Sequence, residues 1–101
     1  MTQEQKKMFD EHFGESKESV FLRAFKIAEK NIDMDAMYYV AESYFRGTGI
    51  KVNYVEAIYW IIKSETLGHP EAPVLREEIQ SKASELQLAS AMHRLGLEGN
   101  N

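Results

Sequence analysis

Apolar and polar positions repeat with a helical period along most of the chain, interrupted at short intervals by glycine, proline and small polar residues. In the first segment Thr2 and Gln5 make a capping-box pattern, and Met8, Phe9 and Phe13 form a short apolar face that Gly14 breaks. Ser16 is the predicted N-cap of a second helix over 17–31, whose positions Val20, Phe21, Ala24, Phe25, Ile27 and Ala28 give a broad buried face. Asp33 is placed to cap a third helix over 34–46. A fourth starts after Asn53 and runs to about Leu67, with Ala57, Ile58, Trp60, Ile61 and Ser64 at helical spacing and Gly68 as its terminator. Pro70 and Pro73 fall where a first turn tolerates proline, which opens a fifth helix over 71–82. Ser84 with Gln87 forms another capping box before a last helix through Leu86, Leu88, Ala91, Met92 and Leu95, which Gly96 is expected to stop. Ile50 to Tyr54 is too short and too broken to be a strand. The expected fold class is therefore all-α, with about six short antiparallel helices joined by short loops.

The segment GTGIKVN between the third and fourth helices raises the question of a phosphate loop. Such a loop follows a strand and carries a lysine followed by serine or threonine, whereas this one follows a helix and Lys51 precedes Val52. The residues fit a turn better. Gly47 would take a left-handed conformation to end the third helix, Gly49 would let the chain reverse, and Asn53 would cap the fourth helix.

Around that turn the residues also carry a repeat pattern. Ala36 opens it, Val40-Ala41 stands for Leu-Gly, and Tyr44, Gly47, Gly49 and Ile50 follow at fixed spacing. Asn53 replaces an aspartate, Glu56-Ala57 replaces Lys-Ala, Trp60 is present, Lys63-Ser64-Glu65 replaces Lys-Ala-Ala, and Gly68 and Ala72 close one period. In this respect the chain resembles the Sel1-like repeat family, whose unit is a helix–turn–helix related in shape to the tetratricopeptide repeat. The resemblance implies a short α-α solenoid, with one complete repeat at about 36–72, N-terminal helices over 2–31 and C-terminal capping helices over 71–96, all in one domain spanning 1–101. Small residues at 41, 57 and 64 would let helices approach closely, with Tyr44 and Trp60 filling the space beside them. Arg76-Glu77 stands where a further Leu-Gly belongs, so regular stacking is not expected beyond it. A solenoid unit cannot bury its face alone and needs neighbours or caps.

Composition changes this picture little and excludes several functions. The chain of 101 residues has no cysteine, so it has neither disulfides nor thiolate metal sites. The formal net charge of −4 and the absence of a basic stripe argue against nucleic acid and anionic membranes, and suit a partner with a basic surface. No apolar run approaches a membrane span, and MTQEQKKMFDEHF lacks the apolar core of a signal peptide, so the expected location is the cytoplasm. His12, His69 and His93 do not share a helix at metal-ligand spacing, and no nucleophile elbow or triad pattern occurs. The expectation is a non-enzyme without a cofactor or metal; an alternative site around His69 and Glu65 is the form an enzyme would take.

One feature goes beyond packing. On the third helix, Met37, Val40, Ala41 and Tyr44 form the core stripe, and a second stripe of Asp35, Tyr38, Glu42 and Phe45 runs beside it. In a helix-hairpin solenoid that stripe would face the concavity, where aromatics and acids make a binding surface. The opposing reading is that Met8, Phe9 and Phe13 fold over and cover Tyr38 and Phe45; both stay open. Tyr39, Tyr54 and Tyr59 would extend the surface or pack at a hairpin edge. The resemblance implies an adaptor or inhibitor that holds another protein. One specific form is a small immunity or antitoxin-like protein covering the active site of a basic toxin or enzyme. Others are a regulatory or scaffold adaptor in a bacterial cytoplasm and a self-associating structural protein, a homodimer through the aromatic stripe.

Overall fold

The computed structural model describes residues 16–99, and the expected first helix over 2–13 lies outside them. Among the described residues there are five α-helices and no strand: α1 (Lys17–Lys30), α2 (Met34–Arg46), α3 (Tyr54–Thr66), α4 (Ala72–Lys82) and α5 (Glu85–Gly99). This is an all-α arrangement of packed helix hairpins. Each start is written locally. The Ser16 hydroxyl accepts from Ser19 N at 3.1 Å, Asp33 Oδ1 accepts from Asp35 N and Ala36 N at 3.0 Å, and Asn53 Oδ1 accepts from Glu56 N at 3.1 Å. At α5 the box closes in both directions: Gln87 N donates to Ser84 Oγ at 3.1 Å and Ser84 N donates to Gln87 Oε1 at 2.8 Å.

Of the three glycines expected to end these helices, two do so. Gly47 (φ 75°) ends α2, and Gly68 (φ 97°) lies just past α3. Gly96 does not stop α5, which continues to Gly99. It keeps a negative φ on an exposed face, and the helix beyond it is held by Glu98, whose carboxylate accepts from the Tyr59 hydroxyl and pairs with Lys63 Nζ at 3.6 Å. Those contacts tie the last turn to α3 and offset part of the ~1 kcal/mol that an interior glycine costs a helix.

α3 is the hub: it packs against α2, α4 and α5, while α1 packs on α2. The small residues do what their spacing suggests. Ala41, Ala57 and Ser64 are fully buried, with Val40, Ile58, Ile61 and Ile79 enclosed beside them. The aromatic rings meet edge to face, Phe21 on Tyr44 at 5.2 Å and Phe25 on Trp60 at 5.7 Å between centroids. Ser64 is more than a spacer, because its fully buried hydroxyl finds its partner across the hairpin, donating to the Met34 carbonyl at 2.7 Å and tying α3 to the start of α2. Ser64→Ala is expected to remove this link between the two helices, the Met34 carbonyl keeping its place in the helical ladder, and to lower the unfolding free energy by about 0.5–1.5 kcal/mol, measurable by urea denaturation.

Candidate protein-binding face

The hairpin turn after α3 brings the start of α2 against the entrance to α4, and His69 is the joint. Left-handed Gly68 turns the chain so that His69 N donates to Ser64 O at 3.1 Å. The imidazole is only 9% exposed. Its Nδ1 accepts from Glu71 N at 3.1 Å, and Nε2 lies 3.3 Å from Asp35 Oδ1. An Nδ1 that accepts leaves Nε2 to carry the proton, so the ring donates toward Asp35 while its other edge steadies the first turn of α4. The ring stacks on Tyr38 with centroids 4.3 Å apart and planes 6° from parallel. Asp35 and Tyr38 are thus held in place by a residue more than thirty positions away.

Along the same face Arg46 bridges the two helices, with Nε 3.4 Å from Glu42 Oε2 and Nη2 3.5 Å from Glu78 Oε1. A groove of about 420 Å³ runs between α2 and α4, lined by Tyr38, Arg46, Pro70, Glu71, Val74, Leu75 and Glu78. Val74 is 73% exposed on its wall. Of the four stripe residues, Asp35, Tyr38 and Glu42 come to this face. Phe45 turns the other way: it is 8% exposed and meets Tyr54 of α3 at 5.8 Å, with the Arg46 guanidinium over its ring. Tyr59 is buried against Trp60 rather than extending a surface, and Tyr39 and Tyr54 are half-buried. Residues Met8, Phe9 and Phe13, expected as an alternative cover for Tyr38 and Phe45, lie outside the described residues.

The face is acidic. Burial first, and then the negative charges of Glu42, Glu71 and Glu78, push the Tyr38 hydroxyl above its ordinary range, against the smaller opposite pull of Arg46. Burial also raises Tyr44, with Glu56 adding to it, and Tyr59, with its bond to Glu98 adding to it. A group whose pKa is higher folded than unfolded stabilises the fold below the unfolded value and loses that contribution as pH rises through the folded one. Stability is therefore expected to fall above about pH 10, the ordinary tyrosine range. Alkaline denaturation followed at 295 nm checks this, and Tyr38→Phe should lessen the loss.

The residues named for an enzyme are not joined into one site. Glu65 accepts from Arg76 Nε at 2.5 Å and from Nη2 at 3.3 Å, while His69 is engaged with Asp35, Tyr38 and Glu71. Among the described residues no three or more histidine or carboxylate side chains gather as a metal site, and no helix is long and apolar enough to cross a membrane. His69, paired with Glu65 in the sequence reading, belongs instead with Asp35 and Tyr38 of the stripe. The hint available was a histidine in place of a small polar residue directly after a helix-ending glycine.

Compared with known protein families, residues 35–69 match the Sel1 repeat. The match begins at Asp35 and ends at His69, the two residues paired across the hairpin, and falls within a few positions of the 36–72 expected from the pattern. Over these residues the chain is similar to the Sel1 repeat, a helical module that typically mediates protein–protein interactions and is characteristically a non-catalytic scaffold. No curated protein and no solved structure matches the chain.

Proposed function

We propose that the protein binds a partner protein through the α2/α4 face and that the partner presents a basic segment to it. The observation that carries this reading is the groove beside Tyr38, where Glu42, Glu71 and Glu78 surround a half-buried aromatic ring. Aromatic rings anchor interfaces, and a cluster of one sign of charge selects and steers an oppositely charged partner. Arg46 is held by Glu42 and Glu78 and so offsets only part of that charge. A small acidic chain with these features suits an immunity or antitoxin-like inhibitor of a basic toxin, acting in the cytoplasm. A regulatory or scaffold adaptor is the alternative, and both use the same face.

Capture from the native cell with tagged protein tests the reading, run beside a Tyr38→Ala/Glu78→Lys variant whose fold is checked by circular dichroism. The expected result is a partner with a basic surface that wild type retains and the variant loses by tenfold or more, about 1.4 kcal/mol. If the captured partner is an enzyme whose activity stops in the complex, the inhibitor form holds; retained activity favours the adaptor. Equal retention by both proteins would place binding elsewhere.

A further inference from the structure

The start of α4 is made differently from the others. An oxygen of a hydroxyl, carboxylate or amide caps α1, α2, α3 and α5, through Ser16, Asp33, Asn53 and Ser84. Glu71, at the same position of α4, makes no side-chain cap bond, and Pro73 has no N–H to offer. His69 stands in for the cap. Its Nδ1 accepts from Glu71 N at 3.1 Å, and its carbonyl accepts from Ala72 N at 3.2 Å. The oxygens of the other caps keep their lone pairs from about pH 8 to 5, whereas an imidazole nitrogen takes up a proton in that range.

We infer that His69 is a proton-operated joint, whose protonation releases the entrance to α4 and with it the Tyr38 wall of the groove. The neutral ring holds its proton on Nε2, toward Asp35, so a second proton goes to Nδ1. There it faces the Glu71 N–H, donor against donor, at a buried position. The imidazolium has no acceptor for that amide. The surrounding acids nonetheless draw the proton in. Asp35 meets the ring from α2, and Glu42, Glu71 and Glu78 act on the Tyr38 ring stacked against it, with Arg46 opposing them. Glu65, in the last turn of α3, is taken up by Arg76. Among the described residues the charges thus favour the imidazolium, while the bond to α4 requires the neutral ring. The closed joint holds the neutral form, so it is complete above the ordinary histidine value of about 6.5 and is lost as pH falls through that range. Tyr38, Pro70 and Glu71 all line the groove, so opening the joint alters the proposed binding face. That consequence for binding rests on the function proposed above; the joint itself does not.

Amide spectra of the full chain from about pH 8 to 5 test the joint without a partner. The His69 ring should titrate, and the Glu71 and Ala72 amides should follow it with the same midpoint. Their exchange, corrected for its intrinsic pH dependence, should quicken at least about tenfold below that midpoint. His69→Asn puts a carbonyl oxygen that does not titrate where Nδ1 stands, so both amides should hold steady over the same range. Asp35→Asn removes a charge that favours the imidazolium and should lower the wild-type midpoint by about half a unit or more. A His69 that takes up a proton without disturbing Glu71 and Ala72, a His69 that does not titrate in this range, or the same amide response in His69→Asn would each overturn the inference. With a captured partner, affinity should fall about tenfold between pH 7.5 and 5.5 for wild type and hold for His69→Asn. Equal loss by both would contradict control of binding by the joint. If the α2/α4 face proves not to bind, the amide titration still decides whether the joint exists.

Discussion

Gly49→Ala is expected to cost at least about 3 kcal/mol, much of the 5–15 kcal/mol that holds a domain of this size together. Gly49 has φ 78°, and a left-handed alanine costs about 1–2 kcal/mol before any contact is considered. The larger part is steric. A Cβ on Gly49 would collide with the Lys17 carbonyl carbon and oxygen and crowd Glu18 N, all backbone of the first turn of α1. Backbone cannot rotate away as a side chain can, so the 47–53 loop and α1 would have to separate. The other two left-handed glycines set the scale. At Gly47 the new atom meets the Val52 Cγ2 methyl at 2.9 Å, which a rotamer change relieves; at Gly68 it meets nothing within 4 Å. Urea denaturation of the three alanine variants should rank them Gly49 far above Gly47, and Gly47 above Gly68. A Gly49→Ala protein as stable as Gly68→Ala would mean that the loop does not rest on α1.

Trp60→Ala should cost about 3–5 kcal/mol, the range for deleting a buried large aromatic side chain. Trp60 is 3% exposed and joins three helices. Its ring meets Phe25 of α1 at 5.7 Å and Tyr59 at 5.1 Å, both edge to face. Its Nε1 donates to Glu56 Oε2 at 3.2 Å, and the other oxygen of Glu56 accepts from Arg94 of α5 at 2.6 Å. Arg94 in turn covers the Tyr59 ring at 3.6 Å. Trp60→Phe keeps much of the ring packing and loses the donor, so it should cost much less, nearer 1–2 kcal/mol. Guanidinium titrations of both variants separate packing from the hydrogen bond. Equal losses would show that the ring is not what ties α1 and α5 to the hub.

What was legible in the sequence was local. Ser16, Asp33, Asn53 and the Ser84–Gln87 box each act within three positions, so residue type and spacing specify them. Gly47, Gly49 and Gly68 were legible because few other residues accept the backbone they adopt. The repeat pattern located the α2–α3 hairpin for the same reason: small residues and rings recur at positions that geometry forces. What escaped was set across the fold. The stack of Tyr38 on His69 and the Asp35–His69 contact depend on how the turn after α3 returns to the start of α2. Phe45 shares a helical stripe with Tyr38 and Glu42, yet in the last turn of α2 it finds Tyr54 across the hairpin and becomes core. Periodicity gives a face, not the neighbour that meets it. Gly96 has a helix-stopping residue type, but the contacts of Glu98 with Tyr59 and Lys63 carry α5 past it.

Amide hydrogen exchange of the protein alone and bound to its captured partner tests the central claim most directly. Binding at the α2/α4 face predicts new protection over 35–46 and 69–78, the residues that carry Asp35, Tyr38, Glu42, His69, Glu71 and Glu78. The outward half of α5, which lies away from this face, should be unchanged by the partner. Protection confined to α3 and α5, with α2 and the start of α4 exchanging as before, would contradict the account.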